Sequence, residues 1–389
     1  MRTTVAVIGA GPAGLLLSRM LHQEGIDCVV LEARDRAYIE RRQRAGTLEQ
    51  STVETLRTFG AGDRLDREGI PHHAIELRYD RQPFRLDLHK HTGRTVTLYP
   101  QTKIVTDLVA LNLQDGIPIL FEAQATKVER VEGPNPVVHF RHAGRDDQLE
   151  CDFIVGCDGF HGITRLSLPA SQLQTFERTC SYSWLGILAD VPPSCVDLIY
   201  AHSPHGFALH SMRSSEVSRL YLQVPNDTDL NEWPDDRIWD ELAFRFATED
   251  WELRRGPITE KAVLPMRSFV VEPMRFGRVF LAGDAAHIVP PTGAKGLNLA
   301  VADVRVLGRA FADWANGGST ELLDAYSDTC LRRIWQVEQF SWSMTAMLHR
   351  EPAQTPFETR LQLAQLSRIA SSPTAAAELA ENYTGRAVE

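Results

Sequence analysis

One glycine-rich turn constrains the fold of this chain more than any other feature. Gly9, Gly11 and Gly14 have the spacing Gly-x-Gly-x-x-Gly, and they lie between an apolar run at residues 4–8 and an amphipathic run at residues 15–24. A continuous apolar run is typical of a parallel strand that is buried on both faces. The glycines permit a tight turn and let the backbone approach a pyrophosphate at the helix N-terminus. The sequence therefore predicts a strand, a phosphate-binding turn and a helix.

The acidic end of the next apolar run indicates which dinucleotide this turn binds. Residues 27–32 form a second predicted strand that ends in Glu32, at the distance of about twenty residues that is typical of dinucleotide sites. A carboxylate in this place accepts hydrogen bonds from ribose hydroxyls and repels a 2′-phosphate. The β-α-β unit is therefore expected to hold FAD or NAD rather than NADP.

The rest of the sequence predicts a dinucleotide fold that is interrupted by a second sheet. Helix patterns run over residues 47–59 and 104–113. Apolar and polar residues alternate over 71–99 and 181–224, which is typical of antiparallel strands with one wet face. A strand-like run returns at residues 278–282, and the sequence after it is mostly helical.

Composition excludes several classes of protein. The 51 acidic side chains outnumber the 41 basic ones, which argues against a general nucleic-acid binder. The six cysteines have no CxxC spacing and fit reduced thiols in the cytoplasm. The sequence has no signal-peptide pattern and no run long enough to span a bilayer. We therefore expect a soluble cytoplasmic protein without a metal site and without nucleic-acid or membrane partners.

Three segments beyond the first glycine turn carry a further signature. They are Cys-Asp-Gly-Phe-His-Gly-Ile-Thr-Arg at 157–165, Arg-Val-Phe-Leu-Ala-Gly-Asp-Ala-Ala-His at 278–287, and Pro-Pro-Thr-Gly-Ala-Lys-Gly-Leu-Asn at 290–298. With Arg-Ala-Gly at 44–46 and the first turn, they resemble the signatures of the FAD-dependent aromatic hydroxylase family in type and in order.

This resemblance implies that the bound dinucleotide is FAD. Asp284 is expected to contact the ribitol chain, and the backbone around Gly293 is expected to face the flavin pyrimidine edge, where negative charge accumulates on reduction. The FAD contacts that the resemblance implies are Gly9, Gly11, Gly14, Glu32, Arg44, Gln101, Arg219, Asp284, Gly293, Leu297 and Asn298.

The predicted fold class is therefore α/β (α+β), with a Rossmann-like FAD-binding domain, an inserted antiparallel substrate-binding sheet and C-terminal helices. The predicted regions are a discontinuous FAD-binding domain (1–70, 100–180 and 268–315), a substrate-binding β-sheet domain (71–99 and 181–267) and a C-terminal helical region (316–389).

Four short segments resemble the branch of the family that hydroxylates 4-hydroxybenzoate. They are Leu-Ile-Tyr at 198–200, Ser-Met-Arg at 211–213, Arg-Leu-Tyr at 219–221 and Glu-Asn-Tyr at 381–383. The resemblance implies that Ser211, Arg213 and Tyr221 hold a benzoate carboxylate. Their chemistry agrees, because arginine offers a planar donor fork for a carboxylate and two hydroxyls can fill the remaining lone pairs.

The same resemblance assigns four residues to the substrate phenol. Tyr200 and Tyr383 are expected to bind and deprotonate it, His72 to pass the proton to solvent, and the backbone carbonyl of Pro291 to face it. A tyrosine can relay a proton by accepting one hydrogen bond while donating another, and histidine titrates near neutral pH. The neighbouring His73 is a competing candidate for the last step.

The reaction that the resemblance implies is hydroxylation of 4-hydroxybenzoate to 3,4-dihydroxybenzoate with NAD(P)H and O₂, through a C4a-hydroperoxyflavin, in a homodimer. Arg219 is expected to support the flavin movement of the family. Two alternatives are a hydroxylase of another benzoate, such as 3-hydroxybenzoate or 4-aminobenzoate, and a non-catalytic flavin-binding redox sensor. The choice between NADPH and NADH stays open, because Ala33 departs from the arginine of the NADPH-dependent pattern. The expected donor contacts are Arg34, Tyr38, Arg42, Arg44, His161 and Arg267.

Overall fold

The structure, a computed structural model, describes residues 1–42 and 46–385. Its strands are β1 (Arg2–Ile8), β2 (Cys28–Leu31), β3 (Thr47–Glu49), β4 (Ile70–His72), β5 (Ala74–Tyr79), β6 (Gln82–Asp87), β7 (Val96–Leu98), β8 (Ile119–Leu120), β9 (Gln124–Glu129), β10 (Val137–His142), β11 (Arg145–Gly156), β12 (Gln174–Ala189), β13 (Leu198–Ser203), β14 (Gly206–Met212), β15 (Ser218–Pro225), β16 (Ile258–Glu272), β17 (Arg275–Phe276), β18 (Val279–Leu281) and β19 (His287–Ile288). Its helices are α1 (Pro12–Gln23), α2 (Arg36–Arg41), α3 (Gln50–Thr58), α4 (Asp63–Glu68), α5 (Leu88–Thr92), α6 (Gln101–Gln114), α7 (Ile163–Leu166), α8 (Asp235–Phe246), α9 (Gly296–Gly317), α10 (Glu321–Asp324), α11 (Tyr326–Leu348), α12 (Pro356–Ser371) and α13 (Pro373–Thr384).

The first sheet is built around the predicted β-α-β unit. Its strand order is β17-β18-β11-β1-β2-β8, and β10 also pairs with β11 while β9 pairs with β10. Val5 of β1 pairs with Cys28 of β2 on one side and with Phe153 of β11 on the other, both in parallel register. Strands β1 and β2 are buried almost throughout, as their continuous apolar sequences require. The predicted Rossmann-like α/β fold is confirmed.

The second sheet separates two apolar cores. Its order is β19-β16-β12-β15-β14-β13-β5-β6, and all its pairs are antiparallel except β13 with β5. Along β12, Leu185 faces the core that contains Trp239 of α8, whereas Trp184 faces the core that contains Met344 of α11 and Tyr383 of α13. Adjacent strand residues point to opposite faces, so the C-terminal helices cover only the face that carries Trp184.

Two of the predicted boundaries between regions interrupt paired strands of the second sheet. The boundaries at 180/181 and 267/268 fall inside β12 and β16, which pair with each other from Gln174 and Glu272 onward. Backbone pairing continues past the point at which the side-chain pattern changes. The division into regions stays a prediction.

The helix predicted over residues 47–59 is wrong at its start. Thr47–Glu49 is strand β3, which pairs with β7 through Thr47 and Leu98, and the helix begins at Gln50. Strand β4 pairs with the same β7, which completes a sheet of three short strands. A local pattern cannot reveal a partner fifty residues away, and that pairing decides the conformation here.

Candidate active site

The first glycine turn lies where two parallel strands end side by side. Ile8 of β1 pairs with Gly156 of β11, so Gly9 meets the segment that follows β11. Gly9 has a φ of +103°, and a Cβ on it would collide with the carbonyl oxygen of Cys157. A Cβ on Gly14 would collide with the carbonyl oxygen of Gly9. The turn therefore needs glycine for its backbone conformation and for close helix packing.

Two carboxylates flank this turn, Glu32, which is buried, and Asp158, which is partly buried. Glu32 accepts hydrogen bonds from the backbone N–H groups of Ala10 and Arg34, each at 2.8 Å. Asp158 accepts from the N–H and the hydroxyl of Thr164 through one oxygen, each at 2.9 Å, while its other oxygen is buried without a partner among the described residues. Burial raises the pKa of Asp158. Orphaned buried acceptors are uncommon, and a bound polyhydroxyl ligand would satisfy this one, so the cradle fits FAD.

The predicted signature segment at 278–287 contains a turn that a residue of α9 holds in place. Asp284 is exposed within a 3-10 turn over Gly283–Ala285 that follows β18. The Gly283 N–H donates to Asp303 at 2.9 Å, and Asp303 also contacts Nε2 of the buried His287 at 2.6 Å. Burial opposes the charging of His287, but the Asp303 carboxylate raises its pKa above the ordinary value. The buried pair fixes the turn that presents Asp284.

Asn298, in the first turn of α9, ties the helix to several segments of the chain. The Asn298 amide donates to the carbonyls of Thr47 and Ala294 and accepts from the N–H of Glu49 and the hydroxyl of Thr52. These four bonds use the whole hydrogen-bonding capacity of the side chain. If Asn298 contacts FAD, its backbone must provide the contact. The other predicted FAD contacts in this part of the structure are the buried Gly293 of the loop between β19 and α9, Leu297 in the first turn of α9 and Gln101 at the start of α6.

The predicted substrate residues share one face of the second sheet. Tyr200 of β13, Leu209 of β14 and Tyr221 of β15 are direct cross-strand partners, and Ser211 is opposite Arg219. Directly opposed residues lie on the same face, here the face that the C-terminal helices cover. The positions of Tyr200 and Ser211 are separated by about 8 Å, since they are one strand and two residues apart. One aromatic ring with a polar group at each end can bridge such a separation.

The two predicted phenol-binding tyrosines touch each other. The hydroxyls of Tyr200 and Tyr383 are 2.7 Å apart, and both side chains are buried. Burial raises the pKa of Tyr200 well above its ordinary value and that of Tyr383 to about 12. Both hydroxyls are therefore neutral near pH 7, and each can donate one hydrogen bond while accepting another. Such a contact allows a proton to pass between the two hydroxyls, and the relay role of the pair stays a prediction.

A buried cation that the sequence analysis missed lies beside this pair. Lys295 donates to the Glu49 carboxylate at 2.7 Å and to the backbone carbonyl of Tyr383 at 2.9 Å. Arg333 contacts the other oxygen of Glu49 at 3.3 Å. Burial lowers the pKa of Lys295, while Glu49 opposes the shift. The position of Lys295 within the signature at 290–298 was a usable signal, but nothing in the sequence indicated Glu49.

The structure distinguishes the two neighbouring histidines. His72 is buried, and neither of its ring nitrogens has a hydrogen-bond partner among the described residues. Burial lowers its pKa. His73 is exposed and packs edge-on against His89, with ring centroids 5.7 Å apart. A relay that starts at a buried tyrosine is better served by His72, whose role stays a prediction.

The predicted carboxylate site is electropositive. Arg213 follows β14, and its N–H donates to the carbonyl of Val217 at 2.8 Å. Burial, together with the nearby Arg219, lowers the pKa of Arg213 to about 10. An anionic ligand would offset both effects. The Ser211 hydroxyl donates to the Arg219 carbonyl at 3.0 Å, so it must turn to donate to a ligand.

Two other predicted contacts are Arg219 and Pro291. The Arg219 guanidinium lies over the ring of Tyr221, 5.3 Å from its centre. The Pro291 carbonyl accepts the N–H of Ala294 at 2.9 Å, which leaves its second lone pair available to a ligand. The roles of both residues stay predictions.

The predicted nicotinamide-donor residues form two groups. At α2, the Arg34 guanidinium lies 5.3 Å from the ring centre of Tyr38, and Arg42 follows the last turn of the helix. Elsewhere, His161 and Arg267 meet around Phe160, at 5.0 Å and 4.6 Å from its ring centre. The remaining predicted contact, Arg44, lies outside the described residues.

No described helix combines the length and apolar character needed to cross a membrane.

Comparison with known proteins matches residues 2–341 to a family described as FAD binding domain. The chain is 47% identical over 387 residues to p-hydroxybenzoate hydroxylase from Acinetobacter baylyi, covering 99% of this chain and 96% of that protein. It is 26% identical to 6-methylpretetramide 4-monooxygenase from Streptomyces rimosus, covering 83% of this chain but 58% of that protein.

A solved structure shows the same fold over the full length. p-Nitrophenol 4-monooxygenase from Pseudomonas putida superimposes with a TM-score of 0.85 at 19% identity, with 100% of both chains covered. Anhydrotetracycline hydroxylase from Streptomyces rimosus superimposes with a TM-score of 0.75 at 22% identity, covering 99% of this chain and 76% of the other.

Proposed function

We propose that this chain, which belongs to the FAD binding domain family and is an FAD-dependent aromatic hydroxylase, converts 4-hydroxybenzoate to 3,4-dihydroxybenzoate. The family match confirms the predicted FAD cofactor. The observation that carries the substrate proposal is the buried contact between Tyr200 and Tyr383 on the sheet face that also carries Ser211. This face offers a relay for a phenol at one end and donors for a carboxylate at the other.

In the overall reaction, one atom of O₂ enters the ring beside the phenol carbon and the other leaves as water. NAD(P)H supplies a hydride and the medium supplies one proton, so that the ring C–H becomes C–OH. Bound FAD, once reduced, supplies the activation of O₂. The donor residues are proposed to be those around α2 and Phe160, including Arg42.

The protein's own residues hold the substrate in a defined orientation. Arg213 presents its guanidinium fork to the carboxylate, and Ser211 and Tyr221 supply hydroxyl donors. Truncating one partner of a buried charge pair costs more binding free energy than truncating a partner of a surface pair, because the other charge is left buried and unpaired. The ring of the substrate then lies along the sheet face, with its hydroxyl toward Tyr200.

The proposed task of the tyrosine pair is to take the phenol proton. An ionised phenol directs electron density to its ortho carbon, so a site that favours ionisation stabilises the transition state more than the bound neutral substrate. Tyr200 accepts the proton while passing its own to Tyr383, and His72 takes it onward. The second lone pair of the Pro291 carbonyl faces the phenol. The burial of both tyrosines excludes water from the reacting position.

A panel of substituted benzoates tests this proposal. We expect 4-hydroxybenzoate to accelerate NAD(P)H oxidation by the purified yellow protein and to yield 3,4-dihydroxybenzoate. 3-Hydroxybenzoate and 4-aminobenzoate are the matched alternatives, since each moves or replaces only the para-hydroxyl. Donor oxidation and products are measured together. Stimulation by another acid with hydroxylated product would transfer the proposal to that acid, and no stimulation by any acid would favour a redox sensor.

We also propose a cytoplasmic location and a homodimer. The six cysteines are all free thiols, four of them buried, which suits a reducing compartment. Light scattering of the purified protein measures the state of assembly, and a monomer mass would contradict the dimer.

The choice between NADPH and NADH is proposed to depend on Arg34. We expect Arg34→Glu to lower kcat/KM for NADPH by about tenfold more than for NADH, because a carboxylate repels the 2′-phosphate, and such a ratio corresponds to roughly 1.4 kcal/mol. Arg36→Glu is the control, since Arg36 begins the exposed helix α2 two residues later but pairs with Glu40 at 2.7 Å. Equal losses with both donors would place the phosphate elsewhere, with Arg42 the next candidate.

A further inference from the structure

The catalytic tyrosine of the proposed relay lies in the last turn of a helix near the end of the chain. Helix α13 ends at Thr384, directly after Tyr383. The last carbonyls of a helix have no partners within the helix, and helix ends fray when nothing satisfies them. The 2.7 Å contact between the tyrosine hydroxyls therefore needs a support that the helix itself does not provide.

Two cations from distant segments supply this support. Lys295 donates to the Tyr383 carbonyl at 2.9 Å, and Nη1 of Arg94 donates to the Gly385 carbonyl at 2.6 Å. Cations at a helix C-terminus are favourable because they oppose the negative end of the helix dipole. The helix end is thus capped from the loop before α9 and from the loop between α5 and β7.

The residue after the helix fits its surroundings only as glycine. Gly385 has a φ of +83°, and a Cβ on it would collide with the Glu49 carboxylate. That carboxylate cannot easily move aside, because Lys295 and Arg333 hold its two oxygens. Gly385 therefore packs against a carboxylate that is held in place.

We propose that Arg94 is a positioning residue that holds Tyr383 in the relay through the Gly385 carbonyl. The inference rests on the proposed function and adds a residue to it. Arg94 lies two residues before Val96, and Val96 pairs with His72 in the sheet of β4 and β7. The segment that carries Arg94 thus contacts the residue after the helix with Tyr383 at one point and the strand with His72 at another. It holds the two ends of the relay relative to each other.

Arg94→Ala tests the inference, and the measurement is amide hydrogen exchange near the end of α13. We expect amide hydrogen exchange in the last turn of α13 to accelerate about tenfold, because a hydrogen bond from a charged donor is lost. Arg94→Lys should restore most of the protection, since an ammonium can donate to the same carbonyl. Lys90→Ala is the control, because Lys90 is exposed on the adjacent α5 and should leave exchange unchanged.

The second readout is the ionisation of bound 4-hydroxybenzoate, which a general loss of stability would not shift. In Arg94→Ala we expect its phenolate absorbance to appear at higher pH and the yield of product per donor oxidised to fall about twofold or more, with the dissociation constant within about twofold of wild type. Gly385→Ala should reproduce this defect, and the double variant should be no worse than either single one.

The outcomes separate the two proposals. Wild-type exchange and a wild-type phenolate titration in Arg94→Ala would overturn the role of Arg94, even if the enzyme hydroxylates 4-hydroxybenzoate. A wild-type protein that does not hydroxylate this acid would overturn the proposed function. The amide exchange measurement would still decide whether Arg94 holds the end of α13. Additive defects in Arg94→Ala and Gly385→Ala would show that they do not act through one contact.

Discussion

Arg213→Ala is expected to raise the dissociation constant of 4-hydroxybenzoate by at least about tenfold, since truncation of one partner of a buried charge pair costs on the order of 2–5 kcal/mol. The guanidinium is partly buried beside Arg219, and both features lower its pKa. A carboxylate offsets the desolvation and the repulsion together, so its binding depends strongly on this side chain. Titration of the flavin absorbance with substrate measures the constant.

The control for this prediction is on the side of the ligand. Phenol lacks the carboxylate, and its weaker binding should be the same in wild type and in Arg213→Ala. Arg213→Lys should also bind 4-hydroxybenzoate poorly, because an ammonium cannot reproduce the planar fork. If both variants bind 4-hydroxybenzoate as wild type does, the carboxylate lies elsewhere.

Tyr383→Phe is expected to uncouple the reaction while leaving binding nearly intact. The phenyl ring preserves the packing, but the hydroxyl that contacts Tyr200 at 2.7 Å is lost. The phenol then has no buried route for its proton, so its phenolate should appear at higher pH. More of the reducing equivalents should end as H₂O₂. Tyr200→Phe should be more severe, because it removes the direct contact with the phenol.

The absorbance titration of the bound phenol can be assigned to that phenol, because both tyrosines ionise at much higher pH. Burial raises the pKa of Tyr383 to about 12 and that of Tyr200 well above its ordinary value, so absorbance changes near neutral pH belong to the bound phenol. Tyr326→Phe is the matched control, since the Tyr326 hydroxyl is also buried but donates to the Leu281 carbonyl at 2.8 Å in the core around the first sheet. If Tyr383→Phe keeps wild-type coupling and a wild-type phenolate titration, the role of Tyr383 is structural and the relay assignment is wrong.

The local elements around the glycine turn could be predicted from the sequence because short-range physics decides them. A continuous apolar run makes β1 a buried strand, and Gly9 and Gly14 are required by contacts within a few residues or with the adjacent strand. The helix predicted from residue 47 failed at its start for the opposite reason. Thr47 pairs with Leu98, a partner that no local pattern identifies.

By itself the sequence determined the dinucleotide fold and the residue types of the site, because strand periodicity places Ser211 on a definite face and the signatures lie in a fixed order. Only the tertiary structure decided which buried groups support them. Lys295 meets Glu49 and the Tyr383 carbonyl across separations of 246 and 88 residues, and Arg94 reaches Gly385 across 291. The physical reason is that an unpaired helix end or buried charge must be satisfied by whichever polar group the packed chain brings near, and sequence spacing does not contain that proximity.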